Sequence, residues 1–452
     1  MMTPGIAPIT NAKRFLPALA RILNIFMAVL YHLIRVAGII AFMLNPIAVA
    51  LSKYEKEKDF IDLIDTNFTR NGFVFPPGIL ERESIKYFKN RNYQPDPKGL
   101  LTARQAISEY YSRNSTDIGP ENILITASTS ESYNLIFNTF TKPGDEVLLP
   151  RPGYPLFEYL AKFNRLGVRY YDLAQIESKG EPKWQIDLES VKAGLNSRTK
   201  FIVVISPNNP TGAVFSKEEL VAAAKAGSST VAEAGKGAGA MVISDEVFSE
   251  FLYDGHTLPR IANVKDGPIV FTLNGISKTF ALPDLKLGWI GVSGTKLVEK
   301  EVDKVVDRLE TANDVFLNAN YLSQSLLPVL FEEGAVFTGE MVAKIKQNRD
   351  LVAEKLVEAN TKAGKALFRF AVPEGGIHMW INIRGEKKAE EEFVLGLIEK
   401  QHVSVHPGYF YDCPAEKGVN IVVSLLPEKE KKLIEGFSRI ISAILSDPLR
   451  HQ

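Results

Sequence analysis

Cysteine is almost missing from these 452 residues: Cys413 is the only one, so no disulfide can form within the chain. That is compatible with a reducing compartment, and Cys413 reads as a loop residue rather than a nucleophile. Histidine is scarce, with six copies. Two of them, His402 and His406, alternate with Val403 and Val405 in a strand-like run with no third ligand close in sequence. They read as core or surface histidines, and no metal site is expected. Net charge is also lacking, because 53 basic residues balance 53 acidic ones. A general electrostatic attraction to nucleic acid is therefore not expected. Internal repeats and low-complexity tracts are absent.

Acidic residues are missing from positions 1–54, which carry Lys13, Arg14, Arg21, Arg35 and Lys53. Five bases and no acid give this segment +5 and leave −5 for the remainder. An uninterrupted membrane-length run is lacking as well. Ile22 to Leu44 is mostly apolar but broken by Asn24, His32 and Arg35, and an arginine at mid-depth of a bilayer is costly. On a helical wheel Arg14, Arg21, Asn24, Ala28, His32 and Arg35 share one narrow sector, an amphipathic pattern suited to a membrane surface or a partner groove.

What is present after Asn45 is a succession of short apolar runs separated by helical patterns. Asn122–Thr126, Glu146–Leu149, Val168–Tyr171, Phe201–Ile205, Met241–Ile243, Ile269–Leu273 and Leu287–Val292 predict seven strands. Leu100, Ala103, Ile107 and Tyr110 recur at helical spacing, and Ser216-Lys217-Glu218-Glu219 is a capping box that starts a helix. The pattern implies an α/β fold: a large domain with a mostly parallel seven-stranded sheet sandwiched by helices. Gly376–Ile383, Val403–Val405 and a closing helix over 428–445 imply a smaller α+β domain. The expected organisation is an extension at 1–44, an N-terminal arm and small-domain segment at 45–85, a large domain at 86–335 and a small domain at 336–452.

One lysine, Lys278, follows the buried-strand pattern Pro268–Leu273 in the run Ser277-Lys278-Thr279-Phe280-Ala281-Leu282-Pro283. A buried amine is costly unless it is paired or neutralised, and chains accept one where it is chemically useful, for example as a Schiff base. Asn208-Asn209-Pro210-Thr211-Gly212 and Ser244-Asp245-Glu246 each follow an apolar run in the same way. Ser128-Thr129-Ser130 lies between a strand and a helix, where backbone amides and hydroxyls suit a phosphate. Each of these has a plainer reading as a turn, a loop cap or an N-cap.

Asn209, Asp245 and Lys278 in this order resemble the pyridoxal-phosphate (PLP) enzymes of the class I/II aminotransferase family, which have the aspartate aminotransferase-like fold (PLP-dependent transferase fold type I). Tyr93-x-Pro-x-x-x-Gly99 with Arg104, Pro143-Gly144-Asp145-Glu146-Val147, Gly288-Trp289 and Pro373-Glu374-Gly375-Gly376 strengthen the resemblance, which starts near Asn45. It implies the following roles. Lys278 holds the cofactor and moves the substrate's α-proton, and Asp245 keeps the pyridine nitrogen protonated. Asn209 donates to the ring oxygen, Tyr154 lies against the ring, and Ser128, Thr129, Ser130 and Lys286 hold the phosphate. Tyr93 reaches the phosphate of a partner in a homodimer with shared active sites.

Four departures accompany the resemblance. Lys286 stands where an arginine is usual, which predicts somewhat weaker cofactor binding. Phe248 replaces a tyrosine that would donate to the ring oxygen. Gly275 stands where a phosphate-binding serine is common. Val422 occupies the place of the substrate-carboxylate arginine, and Arg70 is the candidate replacement.

The implied activity is a PLP-dependent aminotransferase acting on an amino acid and a 2-oxo acid through a lysine Schiff base. A PLP-dependent α,β-elimination (carbon–sulfur) lyase and a non-catalytic PLP-binding regulatory domain are the alternatives. The N-terminal segment stays open between a membrane anchor, a targeting peptide and a start-site artefact with Met43 as the true start. The point where the resemblance begins favours the last, with a cytoplasmic location. Membrane association is expected only through residues 1–44.

Overall fold

The computed structural model describes residues 45–446 apart from 92, 179, 234–238, 265–266, 295–298, 318, 387 and 428. The expectations for residues 1–44 lie outside the described residues. No helix among the described residues is long and apolar enough to cross a membrane. The chain divides into two units, Met1–Lys58 and Asp59–Gln452. In the first, Asn45 caps the helix Pro46–Tyr54: its side chain accepts from the Ile47 amide at 2.8 Å.

The second unit carries an eight-stranded sheet. Its strands are β1 (Ile123–Thr126), β2 (Glu146–Arg151), β3 (Gly167–Ser178), β4 (Glu181–Ile186), β5 (Thr199–Ile205), β6 (Met241–Asp245), β7 (Val270–Gly275) and β8 (Gly288–Ser293). They lie in the order β1-β8-β7-β6-β5-β2-β3-β4. The run from β7 to β3 is parallel, β8 is antiparallel to both β7 and β1, and β4 is antiparallel to β3. Seven strands were expected where eight form. The extra one, β4, has the sequence EPKWQI, whose proline and charges hide it; only Trp184 and Ile186 are buried. Such a strand is tolerated at an edge, where half its backbone needs no partner.

Both faces of the sheet are covered, and side chains alternate between two cores. Val147, Leu149, Phe201, Val203, Ile243 and Phe271 pack on one face with the helices Thr129–Phe140 and Glu299–Phe316. Leu148, Ile202, Val204 and Val242 pack on the other with Phe215, Leu220 and Ala223. Strands buried on both faces read as continuous apolar runs, which is why they were visible in the sequence. Each such side chain contributes about 1.5–3 kcal/mol by leaving water.

A four-stranded antiparallel sheet follows, made of β9 (Phe368–Phe370), β10 (His378–Ile383), β11 (His406–Pro407) and β12 (Val419–Ser424), in the order β9-β10-β12-β11. The helix Ala335–Ala363 precedes it. Trp184 of β4 meets Trp380 of β10 edge to face at 6.0 Å, and Val422 packs in the same cluster. Arg104, in the sequence a motif residue, is structural: it is buried and donates to Gly99 O, Pro120 O and Asp96 Oδ2 at 2.7–3.0 Å.

Directly after β6, Glu246 pairs with Arg260 at 2.6 Å, both side chains almost fully buried. Removing one partner of such a pair strands the other charge. Arg260→Met is expected to cost about 3–5 kcal/mol in urea unfolding at pH 7, with much of that recovered in the double variant Arg260→Met/Glu246→Gln.

Candidate active site

The carboxyl ends of β1, β2, β5, β6 and β7 face the same edge of the sheet, and each releases one functional segment there. Ligands in open α/β sheets gather at such an edge. A cavity of about 480 Å³ opens at this edge, lined by Ser128, Thr129 and Ser130 after β1, Tyr154 after β2, Asn209 after β5, Asp245 and Phe248 at and after β6, and Ser277 and Lys278 after β7. Ile64 and Thr66 form part of its wall, and Ile377, His378, His406 and Tyr411 close it from the smaller sheet.

Ser128 is the N-cap of the helix Thr129–Phe140. Its Oγ accepts from the Glu131 amide at 3.1 Å, and the Glu131 carboxylate accepts from the amide of Ala127, one residue ahead of the cap. The amides of Thr129 and Ser130, in the first turn, have no carbonyl ahead of them within the helix and lie at its positive end beside the cavity. Gly288 at the start of β8 packs directly on this turn. A Cβ there would sit 2.9 Å from Ser128 C and from Thr129 N, so only glycine lets the strand support the loop this closely.

Lys278 makes no hydrogen bond or ion pair with any described residue; its Nζ lies 5.5 Å from the Phe68 ring centre and 6.0 Å from that of Phe248. Burial pushes its pKa down. Asp245 is 4% exposed, and burial raises its carboxyl to about 6. Its Oδ2 accepts from Tyr133 OH at 3.0 Å and its Oδ1 from the Val247 amide at 3.2 Å, both of which favour the ionised form. The neighbouring acid Glu246 turns away to Arg260. Asn209 leaves its Oδ1 buried without a partner. Asn208 braces this turn, its Oδ1 accepting from Thr211 Oγ1 at 2.7 Å.

Nine of the residues read for the cofactor site in the sequence meet at this cavity: Ser128, Thr129, Ser130, Tyr154, Asn209, Asp245, Phe248, Gly275 and Lys278. Three do not. Tyr93 is 69% exposed and stands against Tyr321, with ring centres 5.5 Å apart. Lys286 is exposed, with a left-handed backbone at φ 49°, and does not line the cavity. Arg70, the candidate carboxylate anchor, pairs through its guanidinium with Asp65 at 2.8 Å, its side chain is 69% exposed, and of that loop Ile64 and Thr66 line the wall. Val422 is core.

Gly275 also acquires a physical reason. A Cβ there would meet Leu287 O at 2.7 Å and Gly288 Cα at 3.1 Å, so a serine does not fit the strand pairing as it stands. Sequence reasoning missed Tyr133, His378 and Tyr411, and it read His406 as core or surface although His406 lines the cavity.

The model of the family "Aminotransferase class I and II" matches residues 66–436. The chain belongs to this family. An alanine aminotransferase from Pyrococcus furiosus superposes with a TM-score of 0.75 at 26% identity, covering 88% of this chain and 95% of that one. An aspartate aminotransferase from Thermotoga maritima does so with a TM-score of 0.72 at 22% identity, covering 90% and 99%. In sequence, the chain is 33% identical over 270 residues to the S-alkyl-thiohydroximate lyase SUR1 of Arabidopsis thaliana, covering 59% of this chain and 55% of that protein. It is 26% identical over 363 residues to a tyrosine aminotransferase of Dictyostelium discoideum, covering 79% and 82%. The chain thus spans about half the length of the lyase and most of the tyrosine aminotransferase.

Pyridoxal phosphate is the cofactor of class I and II aminotransferases, and the donor set fits it. A desolvated amine without a hydrogen-bond partner, a buried carboxylate held by two donors, a helix start beside hydroxyls and the Asn209 side chain converge on one cavity. The raised pKa of Asp245 has a consequence for the cofactor-free protein. Above pH 6 the ionised group opposes folding, so its contribution is fully present below about pH 4 and lost as pH rises through about 6. Asp245→Asn is expected to stabilise the cofactor-free protein by about 2–3 kcal/mol at pH 8, with the gain vanishing near pH 4, read from urea unfolding at both pH values.

Proposed function

We propose that the protein is a PLP-dependent aminotransferase that moves an amino group between an amino acid and a 2-oxo acid. The observation that carries this reading is the convergence of the unpartnered Lys278 amine and the buried Asp245 carboxylate on one cavity. Bound PLP supplies an aldehyde that condenses with amines and a pyridine ring that draws electrons from the substrate's α-carbon. Lys278 would hold that aldehyde and, once released, its Nζ would take up and return the α-proton. The depressed pKa leaves more of the amine in the neutral, basic form. Asp245 would keep a proton on the ring nitrogen, with Tyr133 and the Val247 amide keeping the carboxylate ionised and aimed.

Asn209 would serve the ring oxygen alone, since Phe248 brings a hydrocarbon edge where a hydroxyl donor would be the alternative. The Thr129 and Ser130 amides, with the hydroxyls of Thr129 and Ser130, would hold the phosphate. Tyr154 would lie against the ring. In the same reading the chain forms a homodimer in which Tyr93, exposed on its own subunit, serves the partner's cavity.

A carbon–sulfur lyase is the second reading. It is favoured by the resemblance to a named lyase and by a cavity wall whose described residues include no arginine.

Visible absorption of the purified holoenzyme with a panel of amino acids, and no oxo acid, tests the choice. Conversion of the bound cofactor to its amino form by one amino acid is expected. Release of ammonia and pyruvate from a β-substituted amino acid, with the cofactor form unchanged, would select the lyase. Lys278→Ala is expected to abolish the covalent attachment, seen as loss of the borohydride-reducible mass increment, and to lower turnover by more than about a thousandfold. Undiminished reducible attachment would refute the role of Lys278.

A further inference from the structure

His378 is the first residue of β10 and follows Gly375-Gly376-Ile377 into a run of buried side chains. It is 6% exposed, its side chain makes no hydrogen bond to any described residue, and it lines the cavity. No described group takes up its ring nitrogens, so the imidazole is free to meet a ligand in the cavity it lines. Its pKa is held down to about 3, by burial first and then by the charge of Lys278 and by His406. It is therefore neutral at physiological pH, with one ring N–H to donate. Behind it, His406 Nδ1 is within hydrogen-bond distance of Tyr411 OH at 3.1 Å, which fixes that neighbour.

The described walls contain no arginine, and their one lysine, Lys278, is taken by the chemistry proposed above. An amino-acid substrate nevertheless brings a carboxylate that needs a donor. The same cavity is also lined by the apolar side chains of Ile64, Leu156, Phe157, Phe248 and Ile377. Burying a second, unpaired carboxylate against such a surface is costly.

We propose that His378 is the carboxylate-recognition residue of this cavity, and that the substrate class is the monocarboxylic amino acids with an uncharged, apolar side chain. The proposal rests on the aminotransferase reading, because it takes the ligand to be an amino acid. The donor in this arrangement is a neutral imidazole N–H on the wall formed by the smaller sheet. Lys278 stays free for the α-carbon, and the apolar residues take the side chain.

The test is calorimetric binding of unreactive probes to the PLP-loaded protein at pH 7.5. The probes are 3-phenylpropionate, its neutral amide and succinate. Wild type is expected to bind 3-phenylpropionate about tenfold or more tightly than either other probe. His378→Phe is expected to lose about tenfold for the acid, with the amide and PLP affinities unchanged, and His378→Asn to recover part of the loss. Equal affinity of wild type for acid and amide would overturn the proposal, as would unchanged acid binding in a PLP-loaded His378→Phe or His378→Asn. Tighter binding of succinate would overturn the substrate class. Failure of the wild type to retain PLP would instead remove the aminotransferase reading. The two failures are distinguishable because the probes carry no amine and require no turnover.

Discussion

An ammonium and a carboxylate taken out of water in one cavity, without being paired to each other, impose the terms on which the rest of this structure is arranged. Lys278 answers by losing proton affinity, and Asp245 by gaining it until two donors hold its charge. Pairing them directly would relieve both and remove both from chemistry. The fold avoids this by placing them on different strand ends, β6 and β7, and by turning the neighbouring Glu246 into a closed pair with Arg260. Two consecutive acids thus meet opposite fates: one is neutralised for stability and the other is kept available.

The same constraint explains why the surroundings are rigid. A shifted carboxylate or helix start would lose bonds that water cannot replace in a low-dielectric site. Tyr133 is fully buried, its ring tilted against Phe137 and Phe157 and its hydroxyl bonded to Asp245, so that hydroxyl has little freedom. The first turn of the helix Thr129–Phe140 is clamped from below by Gly288 and capped from within by Ser128 and Glu131. Preorganisation of this kind lets a site hold charge without reorganising when a ligand arrives.

Most of the framework was legible because doubly buried strands write themselves as apolar runs, and the residues at their carboxyl ends follow directly. β4 was not legible, because its stability comes from pairing at an edge and from Trp184 rather than from composition. Tyr133 was hidden because a tyrosine inside a helix looks like ordinary core; only the distant Asp245 gives its hydroxyl a partner. His378 had a faint signal, a polar residue at the start of the mostly buried strand His378–Ile383, but its meaning depends on which cavity that strand borders. Arg70 shows the opposite limit: its pairing with Asp65, five residues away, is a local contact that the sequence does not announce.

The cavity walls are drawn from nearly the whole length of the chain, from Ile64 through Lys278 to Tyr411. A ribosome making this protein therefore cannot release a working pocket early. All eight strands of the large sheet, with the amine and the carboxylate, are synthesised by Ser293, but the wall formed by Ile377, His378, His406 and Tyr411 is still to come. Completion of the site waits for the residues through Tyr411. A truncated product would keep the reactive amine in an open crevice while losing the surface that selects what reaches it.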